Sequence, residues 1–338
     1  MGKMATRKPK VVVIGGGTGS FAVLSGLKSL DCDLTALVNM VDDGGSTGQL
    51  RDEYGVLPPG DVRQCLVALS QAPESLRSLF NFRFPAGGAL AGHSFGNLFL
   101  SAIEMRTSNF LEAVEMASEV LSIRGRVLPV TTEKCQLVMT IGGRIVVGQN
   151  KINGEDLGGV RPTLSLKPAA NITPEAAASI SEADMIIIAP GNLYTSIIPA
   201  LLVNGMTKEL KLAKAKVVYL CNLVNKPKST TNFKVSDYVE EIEKVAGKGA
   251  IDYVLYNVDN PSEALLKKYA KDNEYPVIVD EDVLRNGPYT AIPGKLLSHK
   301  GAEEDMNDVL LKERSLLRHD SKALTSVIES IMYKEHIS

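Results

Sequence analysis

The sequence has no long basic run, and Lys plus Arg total 37 against 39 for Asp plus Glu, a formal net charge of -2. Such a balance gives no electrostatic footprint for nucleic acid. No apolar stretch approaches the length of a membrane span, and the basic residues 1–10 lead into too few apolar residues to form a secretory signal. Cysteine is scarce: Cys32, Cys65, Cys135 and Cys221 stand far apart, with neither CxxC nor Cys/His metal spacing. They read as buried free thiols in a reducing compartment, which makes a cytoplasmic location the expectation. Internal repeats and low-complexity tracts are missing as well. What remains is an ordinary globular composition, 44% hydrophobic and 22% charged, over 338 residues. That length accommodates about two domains or one large α/β domain with an insertion.

The chain is organised around residues 10–63. A β-branched apolar run at 11–14 has the character of a strand buried on both faces, and Gly15, Gly16, Gly17, Thr18, Gly19 and Ser20 follow it directly. Apolar residues at helical spacing come next. Strand, glycine turn and helix is the context in which backbone N–H groups at a helix start face a phosphate. A second strand, 34–41, runs into Asp42, Asp43, Gly44, Gly45, Ser46, Thr47 and Gly48. A right-handed crossover between parallel strands brings both turns to one edge of the sheet, so they share a cleft. Two readings stand for the first turn: dinucleotide-type phosphate binding, or glycines that only permit close helix–strand packing. The adjacent acids tilt the choice toward a ligand, with Asp42 and Asp43 holding Mg²⁺ or a ribose; the plain alternative is a turn made of turn-favouring residues.

Further along, Asp61 is expected to cap a helix at 62–70, after Pro58, Pro59 and Gly60. Arg63 falls in the first turn of that helix, where a cation opposes the dipole, so an anion in front of it explains the placement better than a surface ion pair does. Ser94 reads as the N-cap of a helix over 95–106, flanked by His93 and Asn97. No nucleophile–base grouping can be assigned from spacing. Between 125 and 166 the pattern changes to short β-like runs with a Gly142-Gly143 turn, read as an inserted antiparallel subdomain. The α/β rhythm then resumes, with strands expected at 185–189, 217–221, 251–256 and 276–279. A third loop at a strand end carries Tyr194, Thr195 and Ser196, whose hydroxyls suit a phosphate, a sugar or simple helix capping.

The motifs GGGTGS, MVDDGGSTGQLR, LPPGDVRQCLVAL, GHSFGNL, PGNLYTS and RHD together resemble the CofD-like family, and within it the YvcK or gluconeogenesis-factor branch. The resemblance covers nearly the whole chain. It implies a Rossmann-like three-layer α/β/α fold with a mostly parallel sheet: an N-terminal half at 10–124, the β insertion at 125–170, and a C-terminal half at 171–338 completing the same sheet. It implies a nucleotide-sugar ligand of the UDP-N-acetylglucosamine type, a regulatory role in cell shape and wall synthesis on gluconeogenic carbon sources, and a homodimer or larger assembly. The other branch of the family implies a Mg²⁺-dependent 2-phospho-L-lactate-type transferase with a nucleotide-diphosphate-activated donor. An NAD-dependent oxidoreductase is the weaker alternative. Carried onto this chain, the resemblance assigns the residues from Gly15 to Ser20 to the diphosphate. It gives Asp42 and Asp43 to metal or ribose, and lines the cleft with Asp61, Arg63, His93 and Asn97. Thr195 and Ser196 form the third wall, and Arg318 serves as a clamp. The chain departs from the branch at Asn192 and in the 225–230 loop, which puts its sugar specificity in question.

Overall fold

The computed structural model describes residues 7–298 and 317–333. The chain runs through β1 (Lys10–Gly15), β2 (Asp33–Val38) and β3 (Arg126–Pro129), then a small sheet of β4 (Gln136–Ile141), β5 (Arg144–Val147) and β6 (Thr163–Lys167). It returns through β7 (Met185–Ile188), β8 (Lys216–Leu220), β9 (Val224–Asn225), β10 (Tyr253–Asn257), β11 (Tyr275–Pro276) and β12 (Thr290–Gly294). Seven strands form one sheet in the order β12-β10-β8-β7-β1-β2-β3, and every pairing in it is parallel.

The continuous apolar runs follow from this geometry. Successive side chains leave opposite faces of a strand, and both faces are covered. Val12, Ile14, Ile186, Ile188 and Tyr219 belong to the core on one face, while Val11, Val13, Met185, Ile187 and Val218 belong to the other. The second core also takes in the helices Gly17–Leu27 and Gly60–Leu69 and the C-terminal helix Ser321–Tyr333. That last helix lies close on the first. A Cβ at Gly26 would stand 2.5 Å from the Ser321 carbonyl oxygen, and Ser321 Oγ donates to the Ala22 carbonyl at 2.8 Å.

The strand order runs one way from β1 to β3 and the other way from β7 to β12. The reversal between β1 and β7, paired at Ile14 and Ile188, is the topological switch point, and ligands of open α/β sheets bind outside the carboxyl ends of the strands there. Two expectations need correction. The 126–130 segment belongs to the main sheet, as edge strand β3 beside β2, so the antiparallel insertion is built from β4 to β6 alone. The apolar run at 276–279 lies outside the main sheet: Tyr275–Pro276 pairs antiparallel to β9, Ile278 makes a single parallel bridge to Lys234, and the far edge of the main sheet is β12. No helix among the described residues is long and apolar enough to cross a membrane.

Candidate functional site

Three helices start on glycine at the carboxyl edge of the sheet, at Gly17, Gly45 and Gly60, and none of them has a side-chain cap. Their first-turn N–H groups are the donors that a helix leaves for an anion. Close approach explains the glycines. A Cβ at Gly16 would meet Asp61 Oδ2 at 2.1 Å, and one at Gly19 would meet the Pro190 carbonyl oxygen at 1.9 Å. Gly17 has a φ of +65°, in the left-handed region that favours glycine. The loops after β1 and β7 therefore touch across the switch point, with Thr18 and Ser20 on the first of them.

Asp61 does not cap its own helix. It lies within the first turn of Gly60–Leu69 and reaches across to accept a hydrogen bond from the Gly17 backbone. There it faces Asp42, which accepts hydrogen bonds from Gly44 N at 3.0 Å and from Thr47. Burial, then the Asp42 charge, pushes the Asp61 carboxyl up to about 7, against the pull of Arg63. Asp42 is likewise raised, chiefly by burial. Two acids buried side by side favour a shared proton or a neighbouring cation over two bare charges.

Asp43 is differently employed. Its carboxylate takes the Gln149 N–H at 3.0 Å and the Asn150 N–H at 2.6 Å, which ties the Asp-Asp turn to the helix Gln149–Gly154 of the insertion. The acid that accompanies Asp42 in the cleft is Asp61 rather than its sequence neighbour.

Behind these acids runs a chain of buried polar groups. Ser46 Oγ pairs with His93 Nδ1 at 2.9 Å and accepts from Asn97 Nδ2 at 3.3 Å. Asn97 Oδ1 accepts from Arg63 Nε at 3.0 Å, and Arg63 also donates to Asn81 Oδ1. Ser94 caps the helix Phe95–Thr107, as expected. Gly96 lets Arg63 pass, since a Cβ there would stand 2.7 Å from Arg63 Cδ. Arg63 is only 2% exposed, so it acts as the buried hub of this network.

The third wall is less uniform. Thr195 Oγ1 and Asn192 Nδ2 both donate to Asn153 Oδ1 at 2.8 Å, and Gln149 Nε2 donates to the Thr195 carbonyl at 3.1 Å. Ser196 is partly exposed beside Gly191. Tyr194 does not join the cleft. Its ring is 1% exposed and its hydroxyl donates to Glu241 Oε2 at 3.1 Å, among the core groups around Arg161. Arg318 does join it. With Thr18, Gly19, Pro190, Gly191 and Asn222 it lines a cavity of about 220 Å³ at the switch point. Its Nε is buried without a hydrogen-bond partner, as is Asn222 Oδ1. The next residue, His319, fixes the position by bonding the Cys221 carbonyl at 3.2 Å. Four contributors carried no local signal as site residues. Gln149 and Asn153 lie in the insertion, while Asn81 and Asn222 become meaningful only through partners distant in sequence.

The fold and site define a doubly wound α/β protein whose cleft lies at the topological switch point, walled by uncapped helix starts, paired acids and a buried arginine. The chain belongs to the CofD family, in its gluconeogenesis-factor branch: the family model described as 2-phospho-L-lactate transferase CofD matches residues 11–297. It is similar to the gluconeogenesis factor of Bacillus subtilis, 37% identical over 328 residues that cover 96% of this chain and 99% of that protein. Similarity to the gluconeogenesis factor of Halalkalibacterium halodurans is 40% identity over 280 residues, or 82% of this chain and 87% of that one. A crystal structure of a UPF0052-family protein from Bacillus halodurans matches the fold with a TM-score of 0.87 at 35% identity, over 96% of this chain and all of the other.

Proposed function

We propose that this protein binds a nucleotide-diphosphate sugar of the UDP-N-acetylglucosamine type in the switch-point cleft and acts as a cytoplasmic regulator, without consuming the ligand. The role we assign it is control of cell shape and wall synthesis during gluconeogenic growth, in a homodimer or larger assembly. One observation carries the reading: Arg318, whose buried Nε has no hydrogen-bond partner, lines a cavity with Thr18, Gly19, Pro190 and Gly191, beside an uncapped helix start that offers its N–H groups. A guanidinium and a helix N-terminus converging on one small cavity suit a diphosphate. The names of the B. subtilis and H. halodurans relatives support the place in carbon metabolism.

A second reading, transfer of a phospholactyl-type group from a nucleotide-activated donor, is favoured by Asp42 and Asp61. Mg²⁺ is commonly bound by one or two carboxylates together with substrate phosphates, and two buried acids, both raised chiefly by burial, fit that pattern. Asp42 and Asp61 would hold the ion, which would neutralise charge on the donor phosphates. Thr47 and Gly44 orient Asp42, and Gly17 orients Asp61.

Thermal unfolding of the full chain with UDP-N-acetylglucosamine, GDP or NAD, each with and without Mg²⁺, separates the readings. A ligand at a hundred times its Kd stabilises the native state by about 2.7 kcal/mol. Stabilisation by the UDP-sugar, with the sugar recovered intact, supports the regulator; a Mg²⁺-dependent response to GDP alone supports the transferase.

A further inference from the structure

A second cavity, of about 310 Å³, lies where the end of the helix Gly45–Tyr54 meets the inserted sheet. Neither Gly19, Asp61 nor Arg318 lines it. Its floor is apolar, formed by Met40, Val56, Leu57 and Cys135, each less than a tenth exposed. Its cationic rim is formed by Arg51, Lys134 and Lys167. One carboxylate, Asp52, also lines the cavity, and a second, Glu104, stands nearby. Asp52 Oδ1 accepts from Arg51 Nε at 3.0 Å, and Glu104, which accepts from Leu57 N at 3.1 Å, lies within the influence of Lys134. Arg51 is thus already engaged, with Asp43 a further 3.9 Å away. Lys134 and Lys167 form no ion pair among the described residues.

Exposed lysines alone are solvated and bind nothing in particular. Here they stand over an apolar floor in a cavity of small-molecule size. A charge beside low-dielectric walls interacts more strongly than one in open solvent, and the floor rewards burial of an apolar body. We infer that this cavity is a second ligand site, for a small organic anion whose aromatic or aliphatic body covers Met40, Val56 and Leu57 while its acidic group meets Lys134 and Lys167. An inorganic anion has nothing to bury on the floor, and a neutral apolar molecule leaves both ammonium groups unmatched.

The probe is anilinonaphthalene sulfonate, an aromatic anion whose emission rises on leaving water, titrated into the full-length protein. Wild type gives one saturable site. K134E/K167E weakens its Kd by about tenfold or more, the effect of replacing attraction by repulsion at the acidic group. The variant K271E, at an exposed lysine of the helix Glu263–Lys271, titrates as wild type. Saturating UDP-N-acetylglucosamine leaves the probe bound. Equal Kd values for wild type and K134E/K167E overturn the inference, as does displacement of the probe by the UDP-sugar or failure of the titration to saturate. Both lysines are exposed, and K134Q/K167Q, which removes the charges without setting a carboxylate beside Glu104, weakens the Kd in the same direction, so a loss of binding is not a loss of fold.

Discussion

Arg63 Nε donates to Asn97 Oδ1 at 3.0 Å, which joins two glycine-containing motifs that lie more than thirty residues apart. Both residues are 2% exposed. The pair settles why a cation stands in the first turn of a helix: Arg63 is held by Asn97 and Asn81 from outside that helix, and its charge moderates Asp61. Asn97→Ala removes an acceptor from a buried guanidinium and a donor from Ser46. The expected loss is about 2 kcal/mol of stability, the scale of a hydrogen bond to a charged group. Urea denaturation measures it, and a loss below about 0.5 kcal/mol would show that the network is not structural.

The glycines of the first turn differ sharply from those elsewhere. At Gly19 an added methyl runs into the Pro190 backbone, which cannot swing aside as a side chain can. Gly19→Ala is expected to cost about 1–3 kcal/mol, typical of overpacking, and to abolish thermal stabilisation by the UDP-sugar. Gly154 has open space around its Cβ position and serves as the control. Gly154→Ala should change stability by less than about 1 kcal/mol and leave ligand binding intact. Retained ligand stabilisation in Gly19→Ala would remove this turn from the site.

The legible parts of the sequence were those whose physics is local. β1, β2, β7, β8 and β10 are short apolar runs bounded by glycine, proline, asparagine or charge, and a strand covered on both faces needs little else. β12 reads Thr290–Gly294 with a proline inside it, and its exposure pattern is that of a sheet edge, so it lacks the continuous apolar signal. β3 carries a partly exposed edge pattern and stands next to hairpin strands in sequence, which is why it reads as part of the insertion. Among candidate site residues, the glycines and Asp42 announced themselves through turn chemistry. Asp61 resembled an N-cap because the same residue types serve both purposes. Asp43 and Tyr194 were diverted by partners on other elements, Gln149 and Glu241, which no local pattern encodes.

Asp61 gives a pH prediction whose sign is fixed by geometry. Its folded carboxyl is raised from 3.8 to about 7 by burial and by Asp42. The folded state therefore holds the proton over that interval while the unfolded state releases it, so this group's favourable contribution is lost as pH rises from 3.8 through 7. Asp61→Asn keeps the acceptor for Gly17 and removes the charge. It should exceed wild type in stability by at least about 1 kcal/mol at pH 8, with the difference closing below pH 4. On the transferase reading, in which Asp42 and Asp61 would hold Mg²⁺, the ion raises the wild-type Tm and leaves that of Asp61→Asn unchanged. Denaturant titrations at the two pH values, with and without the ion, measure both. A variant less stable than wild type at pH 8 would mean that Asp61 is compensated in the apo protein.

His319 titrates with the opposite sign. It is 8% exposed, and burial lowers its pKa from 6.5 to about 4 despite the bond to the Cys221 carbonyl. The neutral imidazole with its proton on Nε2 is thus the folded form, donating to that carbonyl. Below pH 6.5 the unfolded chain takes up a proton that the folded chain refuses, and stability falls until the pH nears 4. A shift of that size corresponds to about 3 kcal/mol over the interval. His319→Gln retains a donor without titrating, so its stability should decline less steeply between pH 6.5 and 4.5 than that of wild type. Because the His319 side chain ties the chain next to Arg318 to Cys221, just past the end of β8, acid should also loosen the guanidinium and weaken UDP-sugar binding in wild type more than in the variant. Parallel pH profiles for the two proteins would sink the idea that this histidine anchors the clamp.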